Sequence, residues 1–89
     1  MDITEFFSSK LRMKILKVLV QFGELNVSEI ARKLNINYDT AIRHLRILED
    51  EGIVLHKTFG RIRLYRLNMH SPKAEAVQKL FKVWEHTNK

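Results

Sequence analysis

Only Asn35-Ile36-Asn37 joins two amphipathic segments near the middle of this chain. So short a connection leaves few ways to pack the two segments, and it is the mark of a helix-turn-helix. Upstream, Asn26 followed by Glu29 has the spacing of a capping box, with Asn in place of Ser or Thr. Ile30 and Leu34 then supply a buried face, and Ala31 is small enough for another helix to approach closely. Asn35 interrupts the pattern, and after glycine Asn best tolerates a left-handed turn. Downstream, Asn37 can cap a new helix and Asp39 sits in its first turn, where an acid suits the helix dipole. Ala41, Leu45 and Leu48 form the inward stripe, and Gly52 ends the helix.

The flanks extend this pair into a fold. Leu11, Ile15, Val18, Leu19 and Phe22 recur at helical spacing, so a helix is expected from about Ser9 to Phe22, capped by Ser8 or Ser9 and stopped at Gly23. From Ile53 the period changes to two. IVLHKT and RIRLYRL read as a β-hairpin with Phe59-Gly60 between its strands. Tyr65 and Leu67 share one face while Ile62 and Leu64 share the other, so alternation alone does not say which side meets the core. Ser71-Pro72 opens a final helix with the stripe Val77, Leu80, Phe81, Trp84. The expected class is mainly α with a small β-hairpin, in the order helix, helix, helix, hairpin, helix. A hairpin directly after a helix-turn-helix is the wing of a winged helix. The 89 residues make one domain, with a core over 1–70 and a terminal helix over 71–89.

Charge narrows the partner. The net charge is +6, and residues 53–70 hold four cations (Lys57, Arg61, Arg63, Arg66) and no acid. A cluster of that kind favours an anionic partner, nucleic acid first. The chain has no cysteine, which excludes disulfides, thiolate metal ligands and a Cys nucleophile. His44, beside the inward stripe, is expected to be packed and hydrogen-bonded; His56, His70 and His86 are scattered and suggest no metal site. No Gly-rich phosphate loop or nucleophile–base set is present, so an enzyme is not expected, nor a cofactor. MDITEFFSSK contains no long apolar run, so neither a signal peptide nor a membrane span is expected.

The stretches LRMKILKVL, LNVSEIARKLNI, TAIRHLRILEDEGIV and GRIRLYRL together resemble the winged helix-turn-helix regulators of the ArsR-like group, from about Leu11 to Leu67. The resemblance implies a third helix that enters the DNA major groove, a wing on the backbone or minor groove, and dimers made through terminal helices. It also implies a sequence-specific, homodimeric regulator of transcription acting on double-stranded DNA, cytoplasmic and nucleoid-associated. The chain departs from the group in carrying no Cys in the third helix and no paired Asp/His in the last one. Ile42 stands where the group places a small polar residue. The alternatives are an architectural protein that coats DNA without reading bases, and a winged helix used for protein assembly.

The candidate DNA contacts are Asn37, Tyr38, Asp39, Thr40, Ile42, Arg43 and Arg46 on the third helix, with Lys57, Arg61 and Arg63 in the wing. The early residues of a recognition helix reach base edges. Arg43 can donate two hydrogen bonds to guanine, and Ile42 can touch a thymine methyl. Tyr38 and Thr40 can bond phosphates or bases, whereas Asp39 would repel phosphate unless it accepts from cytosine or orients an Arg. Arg46 stands three and four residues before Glu49 and Asp50, so an ion pair competes there with a phosphate contact. The candidate dimer interface is Ile3, Phe6, Phe7, Val77, Leu80, Phe81 and Trp84. The sequence leaves open whether the final helix dimerises or folds back onto the first helix of its own chain.

Overall fold

A helix start is marked by a side chain that accepts the amides the first turn leaves unbonded, and that device recurs along the chain. In a computed structural model describing residues 1–88, Asp2 caps α1 (Ile3–Phe7), Ser9 caps α2 (Lys10–Phe22), Asn26 caps α3 (Val27–Leu34), Asn37 caps α4 (Tyr38–Asp50) and Ser71 caps α5 (Pro72–Thr87). The capping box at α3 is complete: Glu29 N–H donates to Asn26 Oδ1 at 2.8 Å, and Asn26 N–H donates to Glu29 Oε1 at 2.9 Å. Asn35 takes the left-handed conformation, φ 55°, so α3 stops there and α4 starts three residues later, at Tyr38.

Between the helices lies a three-stranded antiparallel sheet of β1 (Glu24–Asn26), β2 (Val54–Phe59) and β3 (Ile62–Leu67), in the order β1-β3-β2. Phe59 pairs with Ile62, so the hairpin turn is Gly60-Arg61, one residue later than the pattern indicated. Gly60 has φ 58° and Arg61 has no positive φ. A two-residue turn with positive φ only at its first position suits Gly there.

The core gathers one face of every element. Ile15, Leu16, Ile30, Ala41, Leu45, Leu48, Val54, Tyr65 and Ala74 are all 0% exposed. Tyr65 and Leu67 therefore carry the inner face of β3, while Ile62 remains half-exposed at 51%. Phe22, placed on the inward stripe of α2 by its spacing, instead points outward at 55% exposure, with the Lys33 ammonium 4.0 Å from its ring centre. At the last turn of α2 a cation over an aromatic face replaces burial.

The two shortest elements were not legible from periodicity. In α1, Phe6 is buried and the buried Arg12 of α2 donates through Nη2 to the carbonyls of Glu5 (2.8 Å) and Phe6 (3.3 Å). A cation at a helix C-terminus satisfies carbonyls that have no partner inside the helix. On α5, Ala74 and Val77 join the core and Phe81 packs half-buried against it, but Leu80, Val83 and Trp84 are 48%, 51% and 63% exposed. Folding back thus covers one stripe of α5 and leaves the next one bare. No helix among the described residues is long and apolar enough to cross a membrane.

Candidate nucleic-acid interface

Because Ala41, Leu45 and Leu48 are fully buried, the helical period turns the opposite side of α4 outward. Asp39, Arg43 and Arg46 are exposed there, and Tyr38 is exposed at the helix start. Asn37 is exposed too, but its Oδ1 accepts the Thr40 N–H at 2.8 Å, so its first role is the cap. Thr40 is half-buried, and Ile42 is half-buried against the core rather than free on the outer face.

The ion pair anticipated for Arg46 is absent among the described residues. Glu49 meets Nδ1 of His56 on β2 instead, and that contact ties the end of α4 to the wing. Arg43 and Arg46 both stand without a carboxylate within 4.0 Å among the described residues. His44 is packed as expected but not hydrogen-bonded: its Nδ1 is buried without a partner. Burial first, then the charges of Arg43 and Arg12, hold its pKa below 6.5.

The four wing cations divide by strand face. Directly paired residues share a face of the sheet, so Lys57, Leu64 and Ile62 lie on one side, and Thr58, Arg63, His56 and Tyr65 on the other. On the first side Glu24 of β1 draws in Lys57 (3.3 Å) and Arg66 (3.9 Å). Arg61 and Arg63 have no such partner among the described residues. They line a hollow of about 90 Å³ with Tyr38 from the start of α4 and Asn26, Val27 and Ser28 from the start of α3. Beneath the wing the Tyr65 hydroxyl is buried without a hydrogen bond of normal geometry. Burial pushes its pKa up, and the nearby Arg63 guanidinium acts against that.

A second depression lies at the far end of the molecule. Ile3, Phe6 and Phe7 of α1 face Ala76, Val77 and Leu80 of α5 across an apolar groove of about 230 Å³. Five of the seven candidate interface residues meet there; Phe81 packs inward, and Trp84 stands apart on the exposed stripe. At its rim Glu51 is held by Lys73 Nζ at 3.0 Å and by the amine of Met1 at 2.7 Å. Ser28, Glu24 and the His56–Glu49 contact escaped sequence reasoning. Each depends on elements distant in the chain, and none has a spacing signal.

Among the described residues no group of three His, Asp or Glu side chains converges as a metal site would require. Residues 9–55 match the family model for bacterial regulatory proteins of the arsR family. The chain is 34% identical over 84 residues to the cadmium resistance transcriptional regulatory protein CadC homolog of Staphylococcus aureus, covering 91% of this chain and 69% of that protein. Among solved structures, it resembles the transcriptional repressor BigR of Xylella fastidiosa with TM-score 0.78 at 26% identity, covering 97% of this chain and 83% of that one. It also resembles a homodimeric winged helix-turn-helix DNA-binding domain from Mycobacterium bovis, with TM-score 0.73 at 28% identity, over 96% of this chain and 73% of that one. The α2–α4 core, the hairpin and these likenesses agree: the chain belongs to the arsR family, transcriptional regulators built on a winged helix-turn-helix DNA-binding domain.

Proposed function

We propose that the protein reads specific sequences in double-stranded DNA as a two-fold homodimer. In this reading α4 lies in the major groove and the β2–β3 wing rests on the backbone or minor groove. The observation that carries it is the outer face of α4, where Arg43 and Arg46 are exposed and have no carboxylate partner among the described residues. An Arg already paired to a carboxylate must break that pair before it can bind a base or phosphate; these two need not. Arg43 lies nearest the helix start and is the base reader, while Tyr38 and Arg46 contact the backbone. Asp50 and Glu51 lie at the other end of α4, which leaves the groove.

The dimer follows from α1 and α5. Leu80, Val83 and Trp84 lie three and four residues apart and form one stripe continuous with the groove through Leu80. The Mycobacterium bovis relative is described as homodimeric, which supports the same assembly here. In such a dimer residues 71–89 would serve the core and the interface together.

Arg43→Ala tests the base-reading role, because base contacts specify and phosphate contacts position. The variant should lose roughly 1–3 kcal/mol on the preferred site and far less on random duplex. Equal losses on both would show that Arg43 reads no base.

A further inference from the structure

The hollow between α3, α4 and the wing is rich in donors. Its charged side chains, Arg61 and Arg63, are both cationic and have no carboxylate partner among the described residues. Tyr38 and Ser28 add hydroxyls. Asn26 has already committed its side-chain carbonyl to the Glu29 amide, so the group it retains is its NH₂, a donor. No acid lines the space among the described residues. Elsewhere on the same strands, Lys57 and Arg66 converge on Glu24, while the apolar Ile62 closes the wing side of the hollow. The wing therefore presents one pair of cations already met by a carboxylate and one pair with none among the described residues.

We propose that this hollow seats one phosphate of the DNA backbone, held by Arg61 and Arg63 from the wing, by the Tyr38 hydroxyl and by the Ser28 hydroxyl. The proposal rests on the DNA-binding reading above. The sugar-phosphate strand is what separates a major groove from the neighbouring minor groove. A protein that places α4 in one and its wing on the other must straddle that strand. The hollow lies between those two elements, with α3 as its third wall. Arg guanidinium groups match phosphate oxygens two at a time, and hydroxyls complete the ring of donors. Lys57 and Arg66 take no part, because Glu24 already occupies the position a phosphate would fill.

The test is the salt dependence of binding of the full chain to a random-sequence duplex. Each neutralised phosphate contributes about 0.9 to the slope of log K against log salt. Two cations on one phosphate release one counterion, so the double variant Arg61→Ala/Arg63→Ala should lower the slope by about 0.9. Lys57→Ala/Arg66→Ala should leave it unchanged. Tyr38→Phe and Ser28→Ala should each weaken wild-type binding, Tyr38→Phe by roughly tenfold, the scale of one hydrogen bond to a charged group. Both should add little in the Arg61/Arg63 double variant. All the substituted side chains are exposed or half-buried, and an unchanged melting temperature confirms that each variant is folded. A loss near 1.8 means two separate phosphates, and no loss means the hollow stays off the DNA. Either result, or an equal loss in the Lys57/Arg66 variant, overturns the seat while leaving DNA binding intact. A wild type that binds no duplex at low salt sinks the DNA-binding reading and the seat with it.

Discussion

His44 shows how a single residue on α4 couples stability to pH. Burial and the neighbouring Arg43 and Arg12 disfavour its charged form, so its pKa in the folded protein lies below 6.5. The unfolded chain then takes up a proton before the folded one does. The stabilising contribution is full above 6.5 and is lost as pH falls through the folded value. Wild type should therefore lose more stability than His44→Gln on acidification from neutral pH, as urea unfolding would measure; parallel losses would show that His44 is not the coupled group. Glu51 is also shifted downward. The amine of Met1 and then Lys73 hold its carboxyl below 4.5, so its ties to α1 and α5 persist until more acid conditions. At this scale the sequence showed that His44 sits beside the stripe. It did not show the missing hydrogen bond, because the burial of Nδ1 depends on how the elements pack.

Elements were legible wherever a cap and a period coincided. Asn26 with Glu29, Asn37 with the Ala41-Leu45-Leu48 stripe, and Ser71-Pro72 all marked helices that form where the spacing places them. Asn26→Ala removes the side-chain acceptor of the capping box and should cost about 1 kcal/mol, read from the urea midpoint; an unchanged midpoint would mean the first turn of α3 is held by its neighbours alone. Leu45→Ala, in the fully buried stripe of α4, should cost about 2–5 kcal/mol by opening a cavity. β1 was illegible for a physical reason. Three residues show no period, and its existence depends on pairing Leu25 with Tyr65, far along the chain. The two apolar sides of β3 were ambiguous for a related reason: only packing against the helices selects Tyr65 and Leu67 over Ile62. Glu24, in the same strand β1, pairs with Lys57 at 3.3 Å, a contact that charge along the chain does not reveal.

At the scale of the whole molecule the assembly decides what the protein can read. The groove between α1 and α5 and the bare stripe Leu80, Val83, Trp84 offer a continuous apolar face. Complete burial of such a side chain from full exposure is worth roughly 1.5–3 kcal/mol, and the part of it still exposed here is what a partner's cover would gain. Sedimentation should show a dimer at micromolar concentration for wild type and dissociation for Leu80→Ala/Trp84→Ala; a monomeric wild type would remove the dimer. The sequence left dimerisation and folding back as rivals, and the structure shows α5 folding back with one stripe while exposing another. A two-fold dimer presents two copies of α4 to one face of the duplex, so its sites should be inverted repeats. The most direct measurement is selection of bound duplexes from a random pool at physiological salt. The account predicts enrichment of an inverted repeat whose half-sites lie about one helical turn, 34–36 Å, apart. A bound pool as random as the starting one would contradict it.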